Sequence, residues 1–259
     1  MHRLICYKGV MSSWRAAIAE AKRSLDREVA VVLLSIPIVM TTLWYFGRPD
    51  FYYDHLARLV PADAPLAYLY PFVYFALSSV VLRTLVPLLL IRFVLGRRPS
   101  DYGYSCPPTF GLTWGYLLLF LAVLPFVVYA STLPSFLQRY PFCSEAIRDN
   151  RVALADLLIS QSFYGLIFLS GESYWRGFVV FGLERRFGVA GILVMVIPYC
   201  MSHYGKPVAE AYASIVTGVV LGFLALKHRS FWLGVAVHWA VAILMDLLAM
   251  YRRGIEVVM

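Results

Sequence analysis

Two charged residues stand four positions apart inside a long apolar stretch of this 259-residue chain. They are Glu172 and Arg176, in the segment SGESYWRGF. An ionisable side chain at the centre of a bilayer costs about 2.5–3.5 kcal/mol on insertion scales, so such residues persist mainly where they pair or line a functional cavity. The i,i+4 spacing favours an ion pair on one helix face. Mutual neutralisation between packed helices is one sufficient explanation of both charges.

Two histidines in other apolar segments suggest a chemical role for this pair. His203 follows Tyr199 by four residues, and His238 lies within the last long apolar run. A desolvated carboxylate gains basicity, an imidazole can share in taking a proton from water, and a second imidazole can donate to a developing oxyanion. The set predicts hydrolysis by an activated water. A single membrane histidine is more often a helix–helix hydrogen-bond partner, so the hypothesis depends on their joint presence with Glu172.

The composition is typical of an integral membrane protein, since 61% of the residues are hydrophobic and only 15% are charged. The formal net charge of +8 would also suit nucleic-acid binding. The basic residues, however, cluster between the apolar runs and in the first 28 residues, as in loops beside anionic headgroups. We therefore expect membrane lipids as partners and no nucleic acid. The four cysteines are scattered and predict neither a disulfide framework nor a zinc knuckle.

The apolar segments predict an all-α fold, a polytopic integral-membrane bundle of about seven to eight transmembrane helices. Residues 1–28 form a basic cytoplasmic segment, and residues 29–259 form one membrane domain. The positive-inside rule predicts a cytoplasmic N-terminus in a multi-pass protein of the inner or plasma membrane. The seven segments that we identify cover residues 29–47, 66–95, 111–130, 157–183, 189–204, 208–226 and 231–250.

These helices must bring the polar residues to similar depths. From the helix rise, Glu172 lies about 17–20 Å, His238 about 12 Å and His203 about 20–25 Å from the nearest cytoplasmic turn. Within the error of the span ends, the three side chains can meet in one cavity. Three further ionisable residues lie in or near the spans, namely Arg83, Glu210 and Asp246. The small residues Ser214, Gly218 and Gly222 predict close packing by a neighbouring helix.

With these residues in place, the chain resembles the CAAX-protease and bacteriocin-processing superfamily of intramembrane endopeptidases. The stretch SGESYWRGFVVFGLE is similar to the first motif of that family, typically Glu-Glu, three residues and Arg-Gly. Tyr199-Cys-Met-Ser-His203 is similar to the second motif, and His238 in VAVHWAVA to the third. The resemblance covers residues from about 155 to 250 and implies that the membrane domain is protease-like.

The resemblance implies cleavage of a peptide bond near the membrane-associated C-terminus of a protein substrate. Such a substrate would carry a hydrophobic, lipidated or sorting-signal tail. Glu172 and His203 would activate the water, Arg176 would orient them, and His238 would hold the oxyanion. No cofactor is implied. Zinc bound by two histidines and a carboxylate is an alternative, which the absence of an HExxH helix disfavours.

Two positions depart from the family pattern. Gly171 stands where the family has its first glutamate, and Ala242 stands where an asparagine is expected. Asp246, two turns beyond His238, is a possible substitute for that amide or a plain span-end aspartate. The chain therefore belongs either to a branch that uses one glutamate or to catalytically inactive pseudoproteases that bind a helix or lipid tail. A small transporter with a proton relay is a third reading, weakened by the lack of an inverted repeat.

Overall fold

The computed structural model describes residues 14–20, 25–61, 63–106 and 114–259. In these ranges the chain is nearly all helical, and each predicted apolar segment coincides with one long helical run. The runs are Arg27–Phe46 (α1), Ala67–Val94 (α2), Trp114–Ala130 (α3), Leu154–Phe187 (α4), Ala190–Met201 (α5), Val208–His228 (α6) and Trp232–Arg253 (α7). Short helical turns cover Pro49–Phe51, Tyr52–Leu56, Ala57–Leu59, Pro99–Tyr102, Pro134–Leu137 and Ser144–Ala146.

Five of these runs, α1, α2, α4, α6 and α7, are long and apolar enough to cross a membrane. The described parts of α3 and α5 are apolar but shorter. An integral membrane protein is therefore supported, while the number of seven to eight spans and the cytoplasmic N-terminus stay predictions. Most of the predicted N-terminal segment 1–28 lies outside the described residues.

Two of the long helices contain π-helical turns beside the polar residues. In α2, Val81–Leu85 is π-helical and contains Arg83. In α4, the π-helical stretch Ser173–Val179 begins directly after Glu172. Such turns widen a helix locally and are frequent at functional sites. The two stretches contact each other, because the Ser173 hydroxyl donates to the Arg83 carbonyl (3.1 Å) and lies 2.8 Å from the Thr84 hydroxyl.

Glycines let the helices around the polar residues approach closely. A Cβ built on Gly218 of α6 would lie 3.1 Å from the Tyr199 ring of α5, so the predicted packing of this small-residue face is confirmed. On α4, a Cβ at Gly165 would lie 2.8 Å from the Trp239 ring of α7. These close approaches hold α5 against α6 and α7 against α4. They bring the helices that carry Tyr199 and His238 close to Glu172.

The basic loops lie together at one end of the bundle, as their spacing predicted. Glu28, at the start of α1, lies 3.9 Å from Arg97 and 3.6 Å from Arg185. The Tyr102 hydroxyl donates to Glu28 (2.5 Å), and burial raises the pKa of that phenol, so it remains a donor. Arg229 pairs with Glu184 at 2.6 Å at the same end. These contacts tie the N-terminal half of the chain to α4 and α6.

The opposite end carries a feature that the all-α prediction missed. Arg151–Ala153 (β1) and Glu256–Val258 (β2) form a two-stranded parallel sheet, with Arg151 opposite Glu256. It joins the start of α4 to the chain after α7. Strands of three residues are too short for a hydrophobic period to reveal.

Candidate active site

Glu172 is the centre of a buried polar cluster, with 1% of its surface exposed. Its Oε1 accepts a hydrogen bond from Arg176 Nη1 at 2.9 Å and lies 2.9 Å from His238 Nδ1. Its Oε2 is buried without a hydrogen-bond partner among the described residues. A Cβ built on Gly234 of α7 would lie 2.9 Å from Oε2. Oε1 of Glu172 thus contacts both Arg176 and His238, whereas Oε2 has no hydrogen-bond donor among the described residues and lies beside Gly234.

Arg176 makes the predicted i,i+4 ion pair with Glu172, and both side chains are almost completely buried. Its guanidinium carbon lies 4.0 Å from the centre of the Tyr199 ring. A cation over an aromatic face is stabilised by the ring quadrupole. Arg176 therefore neutralises Glu172 and connects α4 to α5.

His238 is the imidazole that contacts Glu172. Because a carboxylate only accepts hydrogen bonds, the 2.9 Å contact places a proton on Nδ1 of His238. The ring also packs against Phe168, with 4.6 Å between the ring centres, and 27% of its side chain is exposed. A carboxylate that fixes the tautomer and direction of an imidazole prepares the other nitrogen, Nε2, for chemistry.

His203 lies in the turn after α5 and is also buried. Its Nδ1 is 3.0 Å from the Tyr199 carbonyl, and its ring meets the Tyr199 ring edge-on at 4.7 Å. Because a carbonyl only accepts, Nδ1 carries the proton and Nε2 is left as an acceptor. In the described part of the chain, Glu172 and His203 share no hydrogen bond or ion pair. The imidazole partner of Glu172 is therefore His238.

Two cavities meet at these imidazoles. The first, called the polar cavity below, has a volume of about 280 Å³ and is bordered by Arg83, Gly171, Glu172, Arg176, His203 and His238. The second, called the apolar cavity, has a volume of about 220 Å³ and lies between α3, α6 and α7. Its walls include Leu119, Val123, Phe126, Leu221, Val237 and Val241, and it too reaches His203 and His238. All four residues predicted from the sequence thus border one polar cavity.

The two departures from the family motifs have visible consequences. Among the described residues outside its own helix, a Cβ built on Gly171 would have one neighbour within 4 Å, Nη1 of Arg83 at 3.7 Å, so this position has room for a side chain. Ala242 is buried in an apolar cluster that includes Tyr164 and Met250. No amide takes the place of the expected asparagine at this position.

Asp246 serves the loop before α4 and makes no described bond to His238. Its Oδ1 accepts from the Phe142 backbone N–H at 2.8 Å, and its Oδ2 accepts from the Gln161 amide at 2.7 Å. These bonds favour the structural interpretation of Asp246. Glu210 is likewise engaged, since it accepts from Lys206 at 2.5 Å and from the Tyr140 hydroxyl at 2.7 Å.

The described residues do not offer a clear metal site. Within those ranges, no group of three or more histidine, cysteine, aspartate or glutamate side chains has a metal-binding arrangement. Glu172, His203 and His238 do not form such a group, and Nδ1 of His238 is taken up by Glu172. Zinc binding by these three residues stays a prediction.

Arg83 is the residue at this site that the sequence did not connect with the others. Its position inside a predicted span marked it as an unusual charge. No motif or spacing relates it to Glu172, which lies 89 positions later in the chain. Only the packing of α2 on α4 brings it to the polar cavity.

Comparison with known families agrees with the resemblance seen in the motifs. Residues 153–244 match the family described as type II CAAX prenyl endopeptidase Rce1-like. The matched range contains Glu172, Arg176, His203 and His238, while α1, α2 and α3 lie outside it. No curated protein and no solved structure matches the chain. The family match confirms that the chain is similar to the CAAX-protease superfamily and supports a CAAX-type intramembrane protease function in general.

Proposed function

We propose that this chain of the CAAX-protease superfamily is an intramembrane endopeptidase that cleaves near the membrane-associated C-terminus of a protein substrate. The observation that carries the proposal is the position of His203 and His238 where the polar and apolar cavities meet. Hydrolysis of a membrane-anchored peptide needs a compartment for water beside one for the apolar anchor. The substrate class is a protein with a hydrophobic, lipidated or sorting-signal tail.

In the proposed mechanism, His203 activates the water. Its Nε2 is free to accept, because Nδ1 is bound to the Tyr199 carbonyl. Nε2 takes a proton from water as the oxygen attacks the scissile carbonyl, and the resulting imidazolium returns that proton to the leaving amine. No covalent intermediate with the protein forms.

His238 stabilises the tetrahedral oxyanion in this mechanism. Glu172 orients the His238 ring through the 2.9 Å contact at Nδ1, and an N–H at Nε2 donates to the oxyanion. Arg176 balances the buried charge of Glu172. Glu172 then acts on the reaction through His238 rather than by contact with the water.

The second candidate function is a pseudoprotease that binds a helix or lipidated tail without cleaving it. The observations that favour it are Gly171, which leaves open space where the family has a glutamate, and Ala242, which offers no amide. Both cavities would persist in such a protein. Cleavage is therefore the property that distinguishes the two functions.

The test is co-expression with epitope-tagged reporter proteins that carry different hydrophobic or lipidated C-terminal tails. Cleavage is followed as a shift on gels for the wild type, Glu172→Gln and His203→Ala, with the exposed His55→Ala as the matched control. We expect both site variants to lose about 10²-fold or more and the control to cleave normally. Undiminished cleavage in both site variants would disprove the mechanism. A wild type that binds a tail but leaves it intact would favour the pseudoprotease.

A further inference from the structure

Arg83 is a partly buried cation without a carboxylate partner in the described ranges. Its Nη2 donates to the Ser170 hydroxyl at 2.9 Å and to the Ile167 carbonyl at 3.3 Å. Its Nε is buried without an acceptor. Arg176, by contrast, has Glu172 at 2.9 Å. Two neutral acceptors on one nitrogen leave most of the donors of the Arg83 guanidinium unused.

The polar cavity as a whole is electropositive. Apart from the two imidazoles, its described charged residues are Arg48, Arg83, Arg139, Arg176, Lys206 and the single acid Glu172. Arg176 is paired with Glu172, and Lys206 with Glu210 at 2.5 Å. Arg48 has an exposed partner, Asp50, at 3.8 Å, and Arg139 is itself exposed. Arg83 is therefore the partly buried permanent cation of this cavity that has no acidic partner among the described residues, and such a charge favours an anionic ligand.

Open space lies beside this guanidinium. Among the described residues outside its own helix, Nη1 of Arg83 is the one atom within 4 Å of a Cβ built on Gly171, at 3.7 Å. Gly171, Glu172 and His238 all border the polar cavity, so this space opens into it. A group bound here would lie in the polar cavity rather than in the apolar one.

We propose that Arg83 binds the terminal carboxylate of the peptide segment on the C-terminal side of the scissile bond. The inference rests on the proposed function and adds a substrate requirement, a free C-terminus. Nη1 of Arg83 faces the open space and can donate a charge-assisted hydrogen bond to a carboxylate. The polar cavity holds only about 280 Å³, the liquid volume of roughly nine waters. An extended peptide needs about 3.3–3.6 Å per residue, so a cavity of this size accommodates a short released peptide. The apolar anchor of the substrate occupies the apolar cavity.

The test compares two fluorescent peptides with the same leucine-rich sequence, one ending in a free carboxylate and one in a carboxamide. Binding to the full chain in phosphatidylcholine nanodiscs is measured by anisotropy with His203→Ala, which removes turnover. We expect the carboxylate peptide to bind about tenfold more tightly or better, as for a charge-assisted hydrogen bond. Arg83→Gln should bring this ratio to about one and Arg83→Lys should keep part of it. Arg58→Gln, at an exposed arginine outside the cavity, should keep all of it.

A second pair of variants keeps the test decisive if Arg83→Gln does not fold. Gly171→Glu places a carboxylate beside Arg83 and should abolish the preference, whereas the neutral Gly171→Gln should retain it. A preference that survives Gly171→Glu would contradict the assignment. So would cleavage activity that appears only in Gly171→Glu, because the open space would then mark a lost catalytic glutamate.

The outcomes separate this inference from the proposed function. Equal binding of the two peptides by the parent protein overturns the role of Arg83 even if the wild type cleaves its substrates. A clear preference for the carboxylate peptide, without any cleavage by the wild type, would support the binding role of Arg83 and disprove the endopeptidase function. Added phosphatidylglycerol tests the other source of an anion. If it abolishes the preference through Arg83, the site binds a lipid phosphate and the carboxylate assignment fails.

Discussion

Glu172 and Asp246 are both buried carboxylates, with 1% and 2% of their surfaces exposed, but their surroundings differ. Asp246 accepts one hydrogen bond on each oxygen, from the neutral donors Phe142 N–H and Gln161. Glu172 receives a cation and an imidazole on one oxygen and nothing on the other. Burial alone therefore does not identify a reactive carboxylate. The hydrogen-bond donors distinguish the two residues. Asp246 receives one neutral donor on each oxygen and holds a loop in place, whereas Glu172 receives both of its donors on one oxygen and can act on His238.

The largest expected difference in cleavage rate lies between the variants that neutralise Glu172 and Asp246. In Glu172→Gln, His238 loses its negative partner, and hydrolysis should fall by about 10²–10⁴. In Asp246→Asn, the reacting groups are untouched and cleavage per folded molecule should stay near the wild-type rate. Cleavage rates normalised to folded protein measure both. Equal losses in the two variants would abolish the distinction between them.

A smaller loss should follow from displacing Glu172 without changing its charge. A Cβ at Gly234 would lie 2.9 Å from Oε2, so Gly234→Ala must shift the carboxylate relative to His238. We expect cleavage to fall by about tenfold to a hundredfold, as for other displacements near 1 Å. Gly115→Ala is the matched control, since among the described residues outside its own helix a Cβ there would meet only the Leu224 side chain, at 3.3 Å, away from both cavities. Full activity of Gly234→Ala would show that the placement of Oε2 is unimportant.

Removal of the Asp246 carboxylate should affect stability instead of chemistry. Asp246→Ala leaves the Phe142 N–H and the Gln161 amide without their acceptor. The expected loss is about 1–3 kcal/mol in the free energy of unfolding, measured by thermal melting in detergent. Cleavage by the folded fraction should persist. Lost hydrolysis at unchanged stability would instead place Asp246 in the reaction.

The smallest effect on stability and activity should come from neutralising Glu184, a partly exposed acid that serves as the reference for the two buried acids. Glu184 pairs with Arg229 at 2.6 Å, with 33% and 54% of the two side chains exposed. Because water screens such a pair, Glu184→Gln should cost at most about 1 kcal/mol of stability and no activity. The same melting and cleavage measurements apply. A larger loss would mean that ion pairing, not burial, determines how these acids respond.

The length of the apolar segments was enough to predict the long helices, because a membrane-spanning helix needs about 20 apolar residues. The i,i+4 pair of Glu172 and Arg176 was also predictable from helix geometry. The contact between Glu172 and His238 was not. Helix rise estimates the depth of a residue but not the direction in which its side chain points, and the π-helical stretch Ser173–Val179 alters that direction.

The contacts of Arg83 and Asp246 are a second feature that could not be predicted from the sequence. Both were recognisable as unusual charges in or near apolar spans. Their partners, Ser170 for one and Phe142 for the other, lie far along the chain and are brought near by packing of whole helices and loops. Sequence distance contains no information about such contacts. The β1–β2 pair escaped prediction because strands of three residues are too short to show a hydrophobic period.

The π-helical stretch in α4 also restricts how this helix can change its length. An α-helix turns about 100° per residue, so the extra residue of the wide turn gives the two halves of α4 different angular phases. Glu172 at its start meets Gly234 of α7, and Arg176 within it meets Tyr199 of α5. A single-residue insertion or deletion within Ser173–Val179 would rotate one half against the other by a quarter turn or more. All seven residues of this stretch are buried, but even there a volume-conserving replacement should be far better tolerated than any change in residue number.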